Sequence, residues 1–377
     1  MKAKSIKGKS TEEIKSALEQ SMADGFIPTL AFVFVSIKHN VKSICEILDN
    51  NHIAIYGSTT HGEIADDETT TGAISILLLD LNKAYFKIFI NEFDPNNPIE
   101  TSQEITAQAI KHFPKPAFII ACSEMLTNYT KLIKGFTDVA GEDVNVYGGI
   151  AGDELTNINP IVFTNHKSTK KGIVAIAFDQ GKVEILGKVV CGWNPVGTVK
   201  TITKSVGNRI YEIDNENALD ITLRYAGIKE LPQDSIESTI LVSRTLAFQL
   251  LRERGDPVTL LGLINKEDGS FTMHQDIPEG SKLRFALPPD FEVIDEVVES
   301  LTELKTAVPT AEAVLLFSCA GRIDVLGPIV KEEIKSIKNI WNAPMAGFFC
   351  NGELARANEG NLEIHNLTAC CTVLKEK

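Results

Sequence analysis

Tyr56-Gly57-Ser58-Thr59-Thr60-His61-Gly62-Glu63-Ile64 and Gly347-Phe348-Phe349-Cys350-Asn351-Gly352-Glu353-Leu354 share one spelling, G-x-x-x-x-G-E-aliphatic. Each follows a short apolar run, Ile53 to Tyr56 in the first case and Pro344 to Ala346 in the second. A looser copy stands between them at Tyr147-Gly148-Gly149-Ile150-Ala151-Gly152-Asp153-Glu154-Leu155. A glycine at each end lets the backbone take positive φ and lets a ligand approach the main chain. The carboxylate after the second glycine then stands at a strand end, where open α/β sheets bind ligands. A glycine-rich strand end is also an ordinary turn, so the weight lies in the three copies and their similar lead-ins.

The residues around each copy repeat one order. Before the first, Ser10-Thr11-Glu12-Glu13 is a capping box that opens a helix running to Ala23. Thr29 to Ser36 is an apolar, β-branched and aromatic run, the pattern of a buried strand. Val41, Ile44, Cys45 and Leu48 recur at helical spacing over residues 39–50. Ile53 to Tyr56 is the strand that delivers the motif, and antiparallel strands follow over Gly72–Leu81 and Ala84–Ile90. Asp94-Pro95-Asn96-Asn97-Pro98 is a loop. The order then recurs: a helix over Thr101–Phe113 with Thr101 and Glu104 as its capping box, a strand over Ala117–Cys122, a helix marked by Leu132, Ile133 and Phe136, and a strand over Val144–Tyr147. Strands over Gly172–Phe178 and Val183–Val189 close that copy. The third copy has a helix over Phe291–Leu304, a strand over Ala313–Ser318, a helix opened by Pro328, and a closing strand over Leu362–Leu374. The fold expected is mixed α/β. Duplicated, sandwich-like half-domains span residues 1–208, and a related α/β domain spans 209–377.

The chain has 377 residues, 37 basic and 50 acidic, for a net charge of −13. No basic cluster interrupts the acidic excess, which argues against binding nucleic acid or an anionic membrane. No apolar run approaches the roughly 20 residues of a membrane helix, and the basic N-terminus has no apolar segment behind it. A cytoplasmic location is expected. The seven cysteines include no C-x-x-C pair, so buried reduced thiols are expected. Cys370 and Cys371 are adjacent in a strand and point to opposite faces.

Taken together, these motifs resemble the FIST-domain family, with both its N-terminal and C-terminal regions. The resemblance rests on residues 57–64, Gly148-Gly149-Ile150-Ala151-Gly152-Asp153, Ala218-Leu219-Asp220, Phe317-Ser318-Cys319-Ala320-Gly321-Arg322, residues 347–354 and His365-Asn366-Leu367-Thr368, in family order along nearly the whole chain. It implies an intracellular sensory module that binds a small ligand, with amino acids proposed. It also implies a separate signalling partner such as a kinase or a cyclic-nucleotide enzyme. Some members resemble haem-binding nitric-oxide sensors, which makes haem the alternative cofactor.

An amino acid needs a carboxylate or carbonyls for its ammonium and a guanidinium or amides for its carboxylate. Glu63, Asp153 and Glu353 are candidates for the first role. Arg322 is the candidate for the second, because its planar fork meets a carboxylate in two parallel bonds. Ser58, Thr59, Thr60, Gly149, Asn351, Asn366 and Thr368 complete the candidate ligand set. The plainer alternative pairs Arg322 with Asp324 or Glu353. For haem, His61, His365, Cys319 and Cys350 are the candidate axial ligands. A cysteine-dependent acyl transfer would use Cys319 or Cys350 with His365 and Glu353. No G-x-S-x-G, P-loop or G-x-G-x-x-G is present, and a sensor rather than an enzyme is expected.

Overall fold

The computed structural model describes residues 1–94, 97–125, 127–154 and 159–377. Part of the 94–98 loop and Leu155 of the looser motif lie outside the described residues. With 28% helix and 38% strand in several mixed sheets, the fold is mixed α/β.

Three six-stranded sheets share one plan. Each is centred on a parallel pair: Leu30–Ser36 with Ala54–Thr60, Pro116–Cys122 with Val146–Ile150, and Ala313–Cys319 with Met345–Cys350. The first strand of each pair takes an antiparallel neighbour from its own repeat, respectively Ile74–Leu79, Gly172–Asp179 and Ala369–Glu376. The outer positions are filled from elsewhere in the chain. Phe86–Glu92 leaves the first repeat and pairs with Gly172–Asp179, and Val183–Val190 leaves the second and pairs with Ala369–Glu376. Ala3–Gly8 takes the matching place beside Ile74–Leu79.

The strands that follow the glycine motifs cross over as well. Glu63–Ala65 joins the third sheet, Val162–Phe163 joins the first, and Glu353–Arg356 joins the second. Each sheet therefore borrows strands from the other repeats, in cyclic order.

Side-chain alternation explains why the central strands read as unbroken apolar runs. In Leu30–Ser36, Leu30, Phe32 and Phe34 face a core shared by all three sheets. Ala31, Val33 and Val35 face an outer core under the helices. A strand buried on both faces has no polar side to alternate with. Cys370 likewise enters the shared core and Cys371 the outer core of the third sheet. All seven cysteines are free, six buried and Cys191 half-buried.

Paired helices cover the outer faces. Thr11–Met22 starts as its sequence indicates, with the Ser10 hydroxyl accepting from the Glu13 amide at 3.2 Å. Val41–Asn50 and Tyr129–Ala140 use Asn40 and Asn128 as caps. The helix expected at Thr101 instead begins two residues earlier, as Ile99–His112, and the Thr101/Glu104 box goes unused. Pro98 fixes the backbone in the helical region at φ −74° and so sets the start. In the third repeat Val293–Ala307 and Ile329–Trp341 fill these places.

A fourth, eight-stranded sheet is built from segments between Asn194 and Leu287, with its own core and with helices Ala218–Ala226 and Ser235–Ser243. It meets the rest of the chain at a small cluster of Trp193, Ala247, Ala286, Cys319 and Leu367.

Three local readings are corrected by the structure. The closing strand expected over 362–374 is two strands, Leu362–His365 and Ala369–Glu376, with Leu367 at φ +61° between them. A short helix, Ala320–Leu326, follows Cys319, where Gly321 hid the helical pattern. The leading glycines of the motifs are not turn residues. Gly57 and Gly347 lie inside strands without positive φ, and only Gly148, at +152°, departs from that. What they supply is the lack of a side chain. A Cβ on Gly347 would stand 1.9 Å from the Leu316 carbonyl oxygen, one on Gly148 1.9 Å from that of Ile120, and one on Gly57 2.1 Å from the Phe163 ring.

Candidate functional site

The three glycine motifs meet one another. His61 N–H donates to the Phe349 carbonyl at 3.0 Å and Phe349 N–H to that of Gly62 at 2.8 Å. Ile150 N–H donates to Gly352 at 2.9 Å, Asn351 N–H to Ile150 at 3.0 Å, and Gly152 N–H to Thr59 at 3.0 Å. Every motif is thus bonded to both others. Side chains add to this ring: His61 Nε2 donates to Asn351 Oδ1 at 2.9 Å, and Asn351 Nδ2 donates to the Ala151 carbonyl at 2.8 Å. Asn366 Nδ2 donates to the Asn351 carbonyl at 3.0 Å and to His274 Nδ1 at 3.2 Å. Gly149 touches this ring directly, since a Cβ there would meet Cys350 Sγ at 3.0 Å.

The motif glutamates pin the tips from behind. Glu63 accepts from Thr60 Oγ1 at 2.5 Å and from the Ala73 amide at 2.9 Å. Glu353 accepts from Cys350 Sγ at 3.0 Å and from Thr368 Oγ1 at 2.7 Å. Both are fully buried. Burial raises the Glu63 carboxyl to about 7 and that of Glu353 to about 8, against the bonds that favour the ionised form. Burial also pushes the Cys350 and Cys319 thiols up, away from the thiolate that a nucleophile requires.

The remaining expected residues divide as follows. Ser58 donates to the Thr59 carbonyl at 2.9 Å, and the Thr59 hydroxyl accepts from the Ile161 amide at 2.8 Å. Asp153 is half-buried near His61, whose burial lowers the imidazole pKa despite the opposing charge of Asp153. Cys319 sits in the small cluster under the fourth sheet. Arg322 is 1% exposed and fully engaged. Its fork meets Glu333, with Nε to Oε2 at 3.2 Å, and Nη1 donates to the carbonyls of Cys191 at 2.8 Å and Leu367 at 3.0 Å. Neither Asp324 nor Glu353 is its partner; Asp324 pairs with Arg244.

A hollow lies beside this ring rather than among its tips. It encloses about 230 Å³ between the end of Val183–Val190, strand Ala247–Leu250, helix Val293–Ala307 and the segment from Ala357 to Thr368. His365, Thr368 and Gln249 form buried wall, and Asp256 and Glu296 stand at the exposed mouth. His365 is 2% exposed, and its Nε2 is buried without a hydrogen-bond partner. Burial lowers its pKa to about 4, so the ring is neutral at pH 7. Thr368 joins the cavity wall to Glu353, and the Gln249 amide donates to the Trp193 carbonyl at 2.9 Å. Cys191 shares a 2.7 Å hydrogen bond with Thr259. Of the expected site residues His365 and Thr368 line this hollow. Gln249 carried a readable signal, a polar residue in the otherwise apolar run Ala247–Leu250. Cys191, Asp256, Glu296 and Ser300 carried none, because they come together only through tertiary packing.

Comparison with known families matches the FIST N domain over residues 29–216 and the FIST C domain over 218–356. The chain belongs to the FIST family. No match was found among curated proteins. FIST domains are associated with sensing in signal transduction. Among the described residues of this FIST chain no helix is long and apolar enough to cross a membrane, and no cluster of side chains is suited to a metal ion.

The haem ligands suggested by sequence do not frame a haem site here. His61 gives its Nε2 to Asn351, and Cys319 and Cys350 lie in close-packed interior. His365 faces a hollow of about 230 Å³. That is below the roughly 300–1,000 Å³ of pockets for drug-sized ligands, and a macrocycle does not enter it.

Proposed function

We propose that this FIST chain is a sensory module that takes a small organic ligand, of amino-acid size, into the hollow beside His365. Occupancy is relayed to a separate signalling protein such as a kinase or a cyclic-nucleotide enzyme. The observation that carries this reading is a hollow of about 230 Å³ walled in part by buried polar residues, His365, Thr368 and Gln249. The walls supply a route for the signal. They come from the second and third sheets, a helix of the third repeat and the fourth sheet, so a ligand touching them all favours one seating of the fourth sheet.

The ring of tips is read as scaffold under this proposal, because its polar groups already satisfy one another. Its role is to hold Thr368 and His365 in place through Glu353 and Asn366.

A native mass spectrum of the purified protein tests the reading. The expected result is a retained small molecule, or one restored by incubation with a metabolite extract. Ser300→Phe, on the helix wall, fills the hollow and is expected to abolish retention without lowering the thermal midpoint. Equal retention by the plugged variant would place the ligand elsewhere and overturn the proposal.

A further inference from the structure

We propose that His274 is an acid-released latch, which seats the fourth sheet on the ring of tips while its imidazole is neutral and frees it on taking a proton. What fills the hollow does not bear on it. The fourth sheet and its two helices have a core of their own, so they can part from the other sheets without unfolding. Asn366 is where they are gripped. Its backbone N–H donates to the Thr259 carbonyl at 2.8 Å, its Oδ1 accepts from the Leu261 amide at 3.1 Å, and its Nδ2 donates to His274 Nδ1 at 3.2 Å. The same Nδ2 donates to the Asn351 carbonyl of the ring at 3.0 Å.

These partners fix the proton on the imidazole. An amide donor at Oδ1 and a carbonyl at Nδ2 leave the Asn366 side chain one orientation, so His274 Nδ1 is an acceptor. The docked imidazole is therefore neutral, with its proton on Nε2. On its other side the His274 carbonyl accepts from the Tyr129 amide at 2.9 Å, at the start of helix Tyr129–Ala140. One residue thus ties the fourth sheet to the second and third repeats together.

A proton on Nδ1 would set a donor against the Asn366 amide and place a charge on a side chain that is 8% exposed. Tyr129 faces the ring edge-on at 6.2 Å, and Asp276, two residues along, is engaged by Asn128 Nδ2 at 2.7 Å. Burial holds the His274 pKa down to about 4, from an ordinary 6.5. An imidazole lowered in this way stabilises docking fully above pH 6.5, and that stabilisation is lost as pH falls toward 4. His365, next to Asn366, is lowered by burial and by Arg252 and shifts the same way. In the ring His61 is lowered too, but Glu63 and Glu353 are raised, and protonation of those two carboxyls favours the folded tips. Acid therefore loosens the contact ahead of the ring.

Amide hydrogen exchange on the full chain at pH 7 and pH 4.5, corrected for the intrinsic pH dependence of exchange, tests this. The Tyr129, Leu261 and Asn366 amides donate across the contact. Their protection should fall about fiftyfold at pH 4.5, while that of the Phe349 and Gly152 amides changes by less than about threefold. His274→Asn keeps an acceptor near the place of Nδ1 and takes no proton in this range, so it should abolish the fall. Nitrogen NMR of the parent imidazole gives a second reading that needs no variant, with an unprotonated His274 Nδ1 expected at pH 7. Protection that does not change with pH, a fall that persists in His274→Asn, or a proton on Nδ1 at pH 7 would each overturn the latch.

Discussion

Gly347→Ala is expected to leave little folded protein at 37 °C. The new methyl carbon would stand 1.9 Å from the Leu316 carbonyl oxygen, well inside van der Waals contact. That oxygen cannot step aside, because Leu316 is paired with Gly347 itself in the parallel ladder and with Cys371 on its other side. Overpacking of a close-packed core costs about 1–3 kcal/mol when side chains can move, and a fixed backbone puts this case at about 3 kcal/mol or more. Gly25→Ala is the control. Nothing lies within 4 Å of its added carbon, and only its φ of +86° opposes the change. About 1 kcal/mol is expected there. Urea denaturation of both variants measures the difference. A Gly347→Ala protein within 1 kcal/mol of the parent would show that the strands do not approach as described.

The second large effect concerns Arg322 and Glu333, which are 1% and 0% exposed. Removing one member of a buried pair strands the other charge, and Arg322→Met or Glu333→Leu alone should cost about 3–5 kcal/mol. The double variant removes both charges and replaces them with apolar volume. It should recover more than half of the loss, held back by the Cys191 and Leu367 carbonyls left without their donor. The two single values and the double value form a cycle that isolates the pairing energy. If Arg322 were instead a free fork for ligand, Arg322→Met would change binding and leave the denaturation midpoint alone.

Much of the fold could be read in the residues. The apolar runs at Leu30–Ser36, Pro116–Cys122 and Ala313–Cys319 announced three buried strands, and the cap at Ser10 placed its helix to the residue. The three glycine motifs marked where the repeats meet. Their purpose was harder to read, because the same glycine serves a turn or a close backbone approach. Only the spatial neighbour decides between them, a strand carbonyl at Gly347 and a phenyl ring at Gly57.

The site was less legible for a related reason. Polar residues inside apolar surroundings, such as Glu63, Glu353 and Arg322, signal a buried interaction but not whether its partner is a ligand or the chain. Here they bond to Thr60, Thr368 and Glu333. The hollow is assembled from residues as distant as Val189 and Thr368, and no local pattern foretells such a meeting. His365 bridges the two cases: it stood out in its motif, and its buried Nε2 lacks a hydrogen-bond partner.

The ring of tips acts as one lock on all three sheets, and amide hydrogen exchange measures that directly. The amides of His61, Ile150, Gly152, Phe349 and Asn351, which carry the bonds between tips, are expected to exchange together, at the rate of global unfolding and with its denaturant dependence. Early exchange of the Phe349 and Asn351 amides, while His61 and Gly152 stay protected, would mean that the third repeat opens alone and would contradict the ring.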